Sequence, residues 1–135
     1  SLHIRRGDYI SNEKSNVIHG TCSLDYYQEA MNLLNEKFID TKYFIFSDDI
    51  NWVKENLQVD NTVYIDNGEG RMPHEDIYLM SLCTHNIIAN SSFSWWGACL
   101  NLNEKKIVIA PQRWFNDEKM FQQSNDIVPK SWIRL

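Results

Sequence analysis

The apolar positions of this chain fall into two alternating rhythms. Leu2 to Arg5, Tyr43-Phe44-Ile45-Phe46, Thr62-Val63-Tyr64-Ile65, Asn86-Ile87-Ile88-Ala89 and Ile107-Val108-Ile109-Ala110 are short, nearly continuous apolar runs. Runs of this kind predict strands covered on both faces, as in parallel sheets. Between them the spacing changes to helical. Tyr27, Ala30, Met31, Leu34 and Phe38 lie at i, i+3, i+4, i+7 and i+11, which predicts a helix over Asp25 to Phe38 with Ser23 as its N-cap. Further helices are predicted over 50–57, 75–84 and 93–102. Residues 10–22 show no period and read as a loop, as does Asp66 to Pro73 with Gly68 and Gly70. The tail from Gln112 to Leu135 reads as aromatic and irregular. The order is βαβαβαβαβ. With right-handed crossovers it predicts an α/β fold, a doubly wound, Rossmann-like parallel sheet forming one domain over 1–135.

Composition narrows the function classes. With 135 residues, 43% hydrophobic and 23% charged, the chain is of ordinary globular make-up. A net charge of −5 speaks against nucleic acid as a partner. No apolar run reaches the ~20 residues of a membrane span, and Ser1 to Arg6 contains no apolar signal core. Cys22, Cys83 and Cys99 are an odd count without a close pair, which suits a reducing compartment better than a disulfide framework. The opening strand runs straight into an Arg-Arg-Gly-Asp turn. A domain that begins on its most informative motif reads as a fragment of a longer protein.

In doubly wound sheets, ligands sit beyond the carboxyl ends of the strands. The first segment to land there is His3-Ile4-Arg5-Arg6-Gly7-Asp8-Tyr9. Two adjacent arginines diverge, so one can fork onto a diphosphate while the other packs against a carboxylate. A solvated surface turn and an Arg-Gly-Asp adhesion site are the alternatives. The second segment is Asn90-Ser91-Ser92-Phe93-Ser94-Trp95-Trp96-Gly97, where hydroxyls meet a helix N-terminus suited to a phosphate. Plain capping by Asn90 or Ser92 explains the same residues. Trp95 and Trp96 cannot share a helix face, so at least one should be core. Asp76 opens the third long helix, as a dipole partner or as a carboxylate facing the two N–H groups of a guanine edge. Asp48 and Asp49 read as helix caps or, with a ligand phosphate, as a Mg²⁺ site. His19 and His85 read as structural, and no zinc spacing occurs.

Taken together, His3 to Tyr9, Phe46-Ser47-Asp48-Asp49, Asp76-Ile77-Tyr78-Leu79-Met80-Ser81 and Asn90 to Gly97 resemble the α1,2-fucosyltransferases of glycosyltransferase family 11. The His-x-Arg-Arg pattern is shared more loosely with α1,6- and protein O-fucosyltransferases. The resemblance covers nearly the whole chain but only the C-terminal half of a typical member. It implies the donor-binding half of a GT-B architecture, with the acceptor-side domain absent. It implies transfer of L-fucose from GDP-fucose to the 2-hydroxyl of a terminal galactose on a glycan, inverting, with no metal and no other cofactor. Arg5 would hold the β-phosphate, with Arg6 in support and His3 near the nucleotide. Asp76 would read guanine, and Ser91, Ser92 and Ser94 would surround the diphosphate. Asp8, then Glu13, are the candidate bases. A bacterial cytoplasmic enzyme is expected, at the inner face of the membrane through peripheral association of the full-length protein. The competing readings are a GDP-sugar-binding module without catalysis and a metal-dependent phosphohydrolase using Asp48 and Asp49.

Overall fold

In a computed structural model the chain forms an α/β sandwich, described here for residues 1–66 and 72–135. The loop expected around Gly68 and Gly70 lies largely outside the described residues. The elements in chain order are β1 (Leu2–Ile4), α1 (Gly7–Ser11), α2 (Glu13–His19), α3 (Leu24–Lys37), β2 (Tyr43–Ser47), α4 (Ile50–Asn56), β3 (Thr62–Ile65), α5 (Pro73–Leu82), β4 (Asn86–Ile87), α6 (Ser92–Cys99), β5 (Val108–Ala110), α7 (Glu118–Gln123) and β6 (Ile133–Arg134). Among the described residues the sheet has six strands in the order β3-β2-β1-β4-β5-β6, every pairing parallel. Chain order reverses between β1 and β4, which both pair at Leu2. That reversal is the topological switch point, the place at which doubly wound sheets hold their ligands.

Period-two alternation sends neighbouring strand residues to opposite cores. Leu2, Ile4, Ile45, Ile87 and Ile109 face α3 and α4, packing against Tyr27, Met31, Leu34 and Val53. Ile88, Val108 and Ala110 face the other way, onto Ala98 of α6 and onto Trp114, Val128 and Trp132. Fully burying one such aliphatic side chain is worth about 1.5–3 kcal/mol. The helix α3 follows its predicted stripe, and the Ser23 hydroxyl accepts from the Tyr26 N–H at 3.2 Å. The helices α5 and α6 lie close because Gly97 has no side chain: a Cβ there would come within 2.7 Å of Met80 Cβ.

Three expectations are corrected. Residues 10–22 are not a loop but mostly α2 and the end of α1. Neither helix buries a residue fully, so no apolar stripe marks them. Local bonds hold them instead: the Asn12 side chain caps α2 by accepting from the Lys14 and Ser15 N–H groups, and Gly20 ends it at φ +62°. A side chain at Gly20 would run into Asn116. The tail is also more regular than expected. Asp117 caps α7, and the two residues of β6 add a parallel edge to β5, too short to leave a pattern. Finally, β2 is not covered on both faces. Phe44 is 37% exposed and, with Phe46, Ile65, Leu79 and Leu82, walls a groove of about 580 Å³ reaching toward the amino ends of the strands. Among the described residues no helix is long and apolar enough to cross a membrane.

Candidate active site at the sheet switch point

The strands β1 and β4 deliver the two marked motifs to one edge. The turn after β1 carries Arg5 to Asp8, and the turn after β4 carries Asn90 and Ser91 into α6. Tyr9 links them, its hydroxyl donating to the Asn90 carbonyl at 3.4 Å. The Arg5 guanidinium lies 5.4 Å from the Tyr9 ring centroid.

The two arginines diverge as the sequence suggests. Arg6 turns back: its guanidinium carbon is 3.4 Å from the Trp52 ring centroid, and its Nε donates to Asp49 Oδ2 at 3.3 Å. A stacked, desolvated guanidinium of this kind anchors the turn to α4. Arg5 stays at the rim, its Nη2 2.6 Å from Asp8 Oδ1 and its Nη1 3.0 Å from Asp48 Oδ2. Those side chains are 31%, 53% and 26% exposed. Ion pairs so open to water are worth at most about 1 kcal/mol. A ligand phosphate can therefore displace the more exposed of the two, Asp8, at little cost.

Asp48 and Asp49 thus each face an arginine. Their charge is already balanced by protein cations, contrary to the reading of this pair as a Mg²⁺ site. Asp49 also caps α4, accepting from the Trp52 N–H at 3.3 Å.

His3 is 3% exposed and points to the α6 side, its ring centroid 5.6 Å from that of Phe93. Burial, helped by the positive charge of Arg5, pushes its pKa down to about 3, so the imidazole is neutral across the ordinary range. Among the described residues its Nδ1 has no hydrogen-bond partner. An unmet buried nitrogen costs about 1–3 kcal/mol.

The serines divide. Ser91, not Asn90 or Ser92, is the N-cap of α6, accepting from the Phe93 N–H at 3.3 Å. The Ser94 hydroxyl is fully buried and donates to the Ser91 carbonyl at 3.3 Å. Ser92 is the exposed hydroxyl at the helix mouth. Asp76 is 4% exposed in the first turn of α5, where its carboxylate engages other groups of the fold. Asp8 is exposed in α1, and Glu13 is exposed at the first position of α2. Of these two carboxylates, Asp8 is the one bonded to Arg5.

Sequence reasoning missed the role of Asn90. Its buried amide donates to the carbonyls of His19, Gly20 and Trp114 at 2.9, 3.2 and 3.2 Å, while its oxygen accepts from the Cys22 thiol at 3.5 Å. One side chain thereby pins the end of α2, the switch-point turn and the tail. An asparagine closing a buried strand is the available signal, since its polarity there demands several partners. His19 is structural, as expected, stacked at 4.7 Å on Tyr9. Of the paired tryptophans, Trp95 is anchored by its Nε1 on the Ile127 carbonyl at 2.7 Å, and Trp96 is 52% exposed.

An all-parallel sheet with an arginine-bearing turn and a hydroxyl-capped helix on either side of its switch point is the arrangement of a Rossmann-like half of a GT-B glycosyltransferase. Residues 1–135 match Glycosyl transferase family 11, and the chain belongs to that family. It is 43% identical over its whole length to an Alpha-1,2-colitosyltransferase of Escherichia coli, covering 47% of that protein. It is 40% identical to the O-antigen biosynthesis glycosyltransferase WbnK of Escherichia coli, again over its whole length and covering 44% of that protein. Over 73% of its length it is 29% identical to a mouse Galactoside alpha-(1,2)-fucosyltransferase 1. The chain spans about half the length or less of these curated relatives. No solved structure matches it.

Proposed function

We propose that this chain is the donor-binding portion of an inverting α1,2-fucosyltransferase that takes GDP-fucose and fucosylates the 2-hydroxyl of a terminal galactose. The observation that carries the reading is the placement of Arg5 and the α6 mouth on adjacent strands at the switch point. The Arg5 fork exchanges the Asp8 carboxylate for the β-phosphate. Together with the N–H groups and dipole of α6, it stabilises the charge that grows on GDP as the anomeric C–O bond breaks. This positive field supplies what a metal would otherwise supply. The neutral His3 offers its ring nitrogen to the donor, Ser92 adds a hydroxyl, and Asp76 reads guanine. The acceptor oxygen attacks the anomeric carbon from the opposite side, and its proton passes to a carboxylate. Asp8 is favoured over Glu13 because it directly follows the arginine pair, and its exposed carboxylate is freed when phosphate takes its place on Arg5. Ser91 and Ser94 act indirectly, by shaping the helix mouth.

The similarity to a colitosyltransferase favours a second donor, GDP-colitose, whose sugar is fucose without its 3-hydroxyl. The half-length match favours the further reading that this chain alone binds the donor without turning it over. A cytoplasmic setting at the inner membrane face accords with bacterial relatives that include an O-antigen enzyme.

Thermal unfolding with GDP, GDP-fucose, ADP and UDP tests the donor site. A ligand at a hundred times its Kd adds about 2.7 kcal/mol of stability. GDP and GDP-fucose should raise the melting temperature, and ADP and UDP should not. Equal shifts with all of them would remove the guanine assignment. Fucose transfer to a galactoside, assayed on this chain and on a full-length relative, separates the enzyme from the binding module.

A further inference from the structure

The Asp48-Asp49 pair does two different jobs. Asp49 caps α4 and holds Arg6. Asp48 neither caps α4 nor holds the Arg6 side chain, and both of its oxygens reach across from the end of β2 to the turn after β1. Oδ1 accepts from the Arg6 backbone N–H at 2.9 Å, and Oδ2 lies 3.0 Å from Arg5 Nη1. A third observation converges on the same carboxylate: a Cβ at Gly7 would collide with Asp48 Oδ2. The missing side chain of Gly7 is thus the space the carboxylate occupies. Its φ is not among the positive values, so the turn itself does not demand glycine there.

We infer that Asp48 is a positioning residue that aims Arg5 at the donor diphosphate, with Gly7 as the vacancy that admits it. The inference rests on the donor reading above for the identity of the ligand. The backbone bond fixes where the Arg5-Arg6 turn sits, and the carboxylate holds one edge of the Arg5 fork. Asp8, more exposed and on the opposite nitrogen, is the partner that yields to phosphate. A guanidinium fixed along one edge loses less freedom on binding, which is how a group that never touches the donor improves its affinity. The opposite sign is also physically open. A carboxylate near a diphosphate repels it, so an Asp48 that merely sat nearby would weaken binding, and removing it would tighten binding.

The test uses GDP calorimetry together with two readouts that need no nucleotide: hydrogen exchange at the Arg6 amide and the NMR signals of the Arg5 guanidinium. Asp48→Ala should weaken GDP about tenfold, the equivalent of 1.4 kcal/mol. It should also strip protection from the Arg6 amide and merge the Arg5 Nη signals. Asp48→Asn keeps an acceptor for the Arg6 N–H. It should restore that protection while recovering only part of the affinity, which a purely structural clamp would not do. Gly7→Ala should mimic Asp48→Ala, and in the Asp48→Ala background it should add little. GDP binding by Asp48→Ala as tight as or tighter than the parent overturns the inference. If the parent binds no GDP, the donor reading fails by itself. The exchange and guanidinium signals then decide the positioning role, and unchanged signals in Asp48→Ala overturn it.

Discussion

The two ends of the parallel sheet are built on opposite principles. At the amino ends, polar groups are satisfied internally. Asn86 donates to the Met80 carbonyl and the Ser1 hydroxyl, its oxygen accepts from Asn101, and the Ser1 nitrogen donates to the His85 carbonyl at 2.7 Å. At the carboxyl ends, Arg5 rests in open ion pairs, His3 Nδ1 has no partner among the described residues, and the α6 mouth presents an exposed serine. One end is closed and contributes stability. The other holds its polar groups in exchangeable contacts, which is what binding requires. Asn90 marks the boundary, a fully engaged amide directly beside the exchangeable groups.

The contrast can be broken most directly at Arg5. Arg5→Ala should cost on the order of 2–4 kcal/mol in donor binding or transfer, because a bidentate, charge-assisted contact is lost. Its melting temperature should stay close to the parent, since the lost pairs are exposed. Arg5→Lys should also be poor, an ammonium being unable to fork onto two oxygens. Calorimetry beside thermal unfolding reads both, and donor affinity within a few-fold of the parent would end the assignment.

At the two fully engaged asparagines the effect should fall on stability. Asn86→Ala and Asn90→Ala should each destabilise by about 2–3 kcal/mol in denaturant unfolding, because buried carbonyls lose their donors. For Asn86→Ala the donor affinity should be unchanged, whereas Asn90→Ala should also weaken it by loosening the switch-point turn.

His3 supplies a pH signature. Its folded pKa is depressed to about 3, so between pH 6.5 and 3 the unfolded chain binds a proton that the folded chain refuses. Stability should therefore fall with acidification by up to ~1.4 kcal/mol per pH unit in that window, with no contribution above it. His3→Phe should flatten this dependence in denaturant titrations at pH 7, 5.5 and 4, and an unaltered slope would locate the acid sensitivity elsewhere. The smallest change is expected from the serines. Ser92→Ala should weaken GDP by about 0.5–1.5 kcal/mol without moving stability, and Ser94→Ala should do the reverse.

The parts legible from the sequence are those that bury apolar surface. Five of the strands followed from the runs at Leu2, Tyr43, Thr62, Asn86 and Ile107, and α3 from its stripe and cap, because burial imposes a period. The helices α1, α2 and α7 were not legible because they bury nothing fully and are held by Asn12, Asp117 and local bonds. The divergence of Arg5 and Arg6 was foreseen in kind, since adjacent residues cannot share a direction. The distribution of work among Ser91, Ser92 and Ser94 was not, because three hydroxyls in four residues are equivalent until a helix axis separates inner from outer. Asp48 and Asp49 were indistinguishable for the same reason: which one caps depends on where β2 ends.

The hydrogen at Gly97 has a reach beyond its own helix. Because α5 rests almost directly on α6 at Met80, the spacing between the two helices sets how far the Asp76 carboxylate stands from the Ser91 turn. A methyl group there would act as a wedge, widening the span between Asp76 and the Ser91 turn, which on the proposed reading are the base-reading and phosphate ends of the donor site. A single hydrogen atom thus works as a length gauge between those two helix starts.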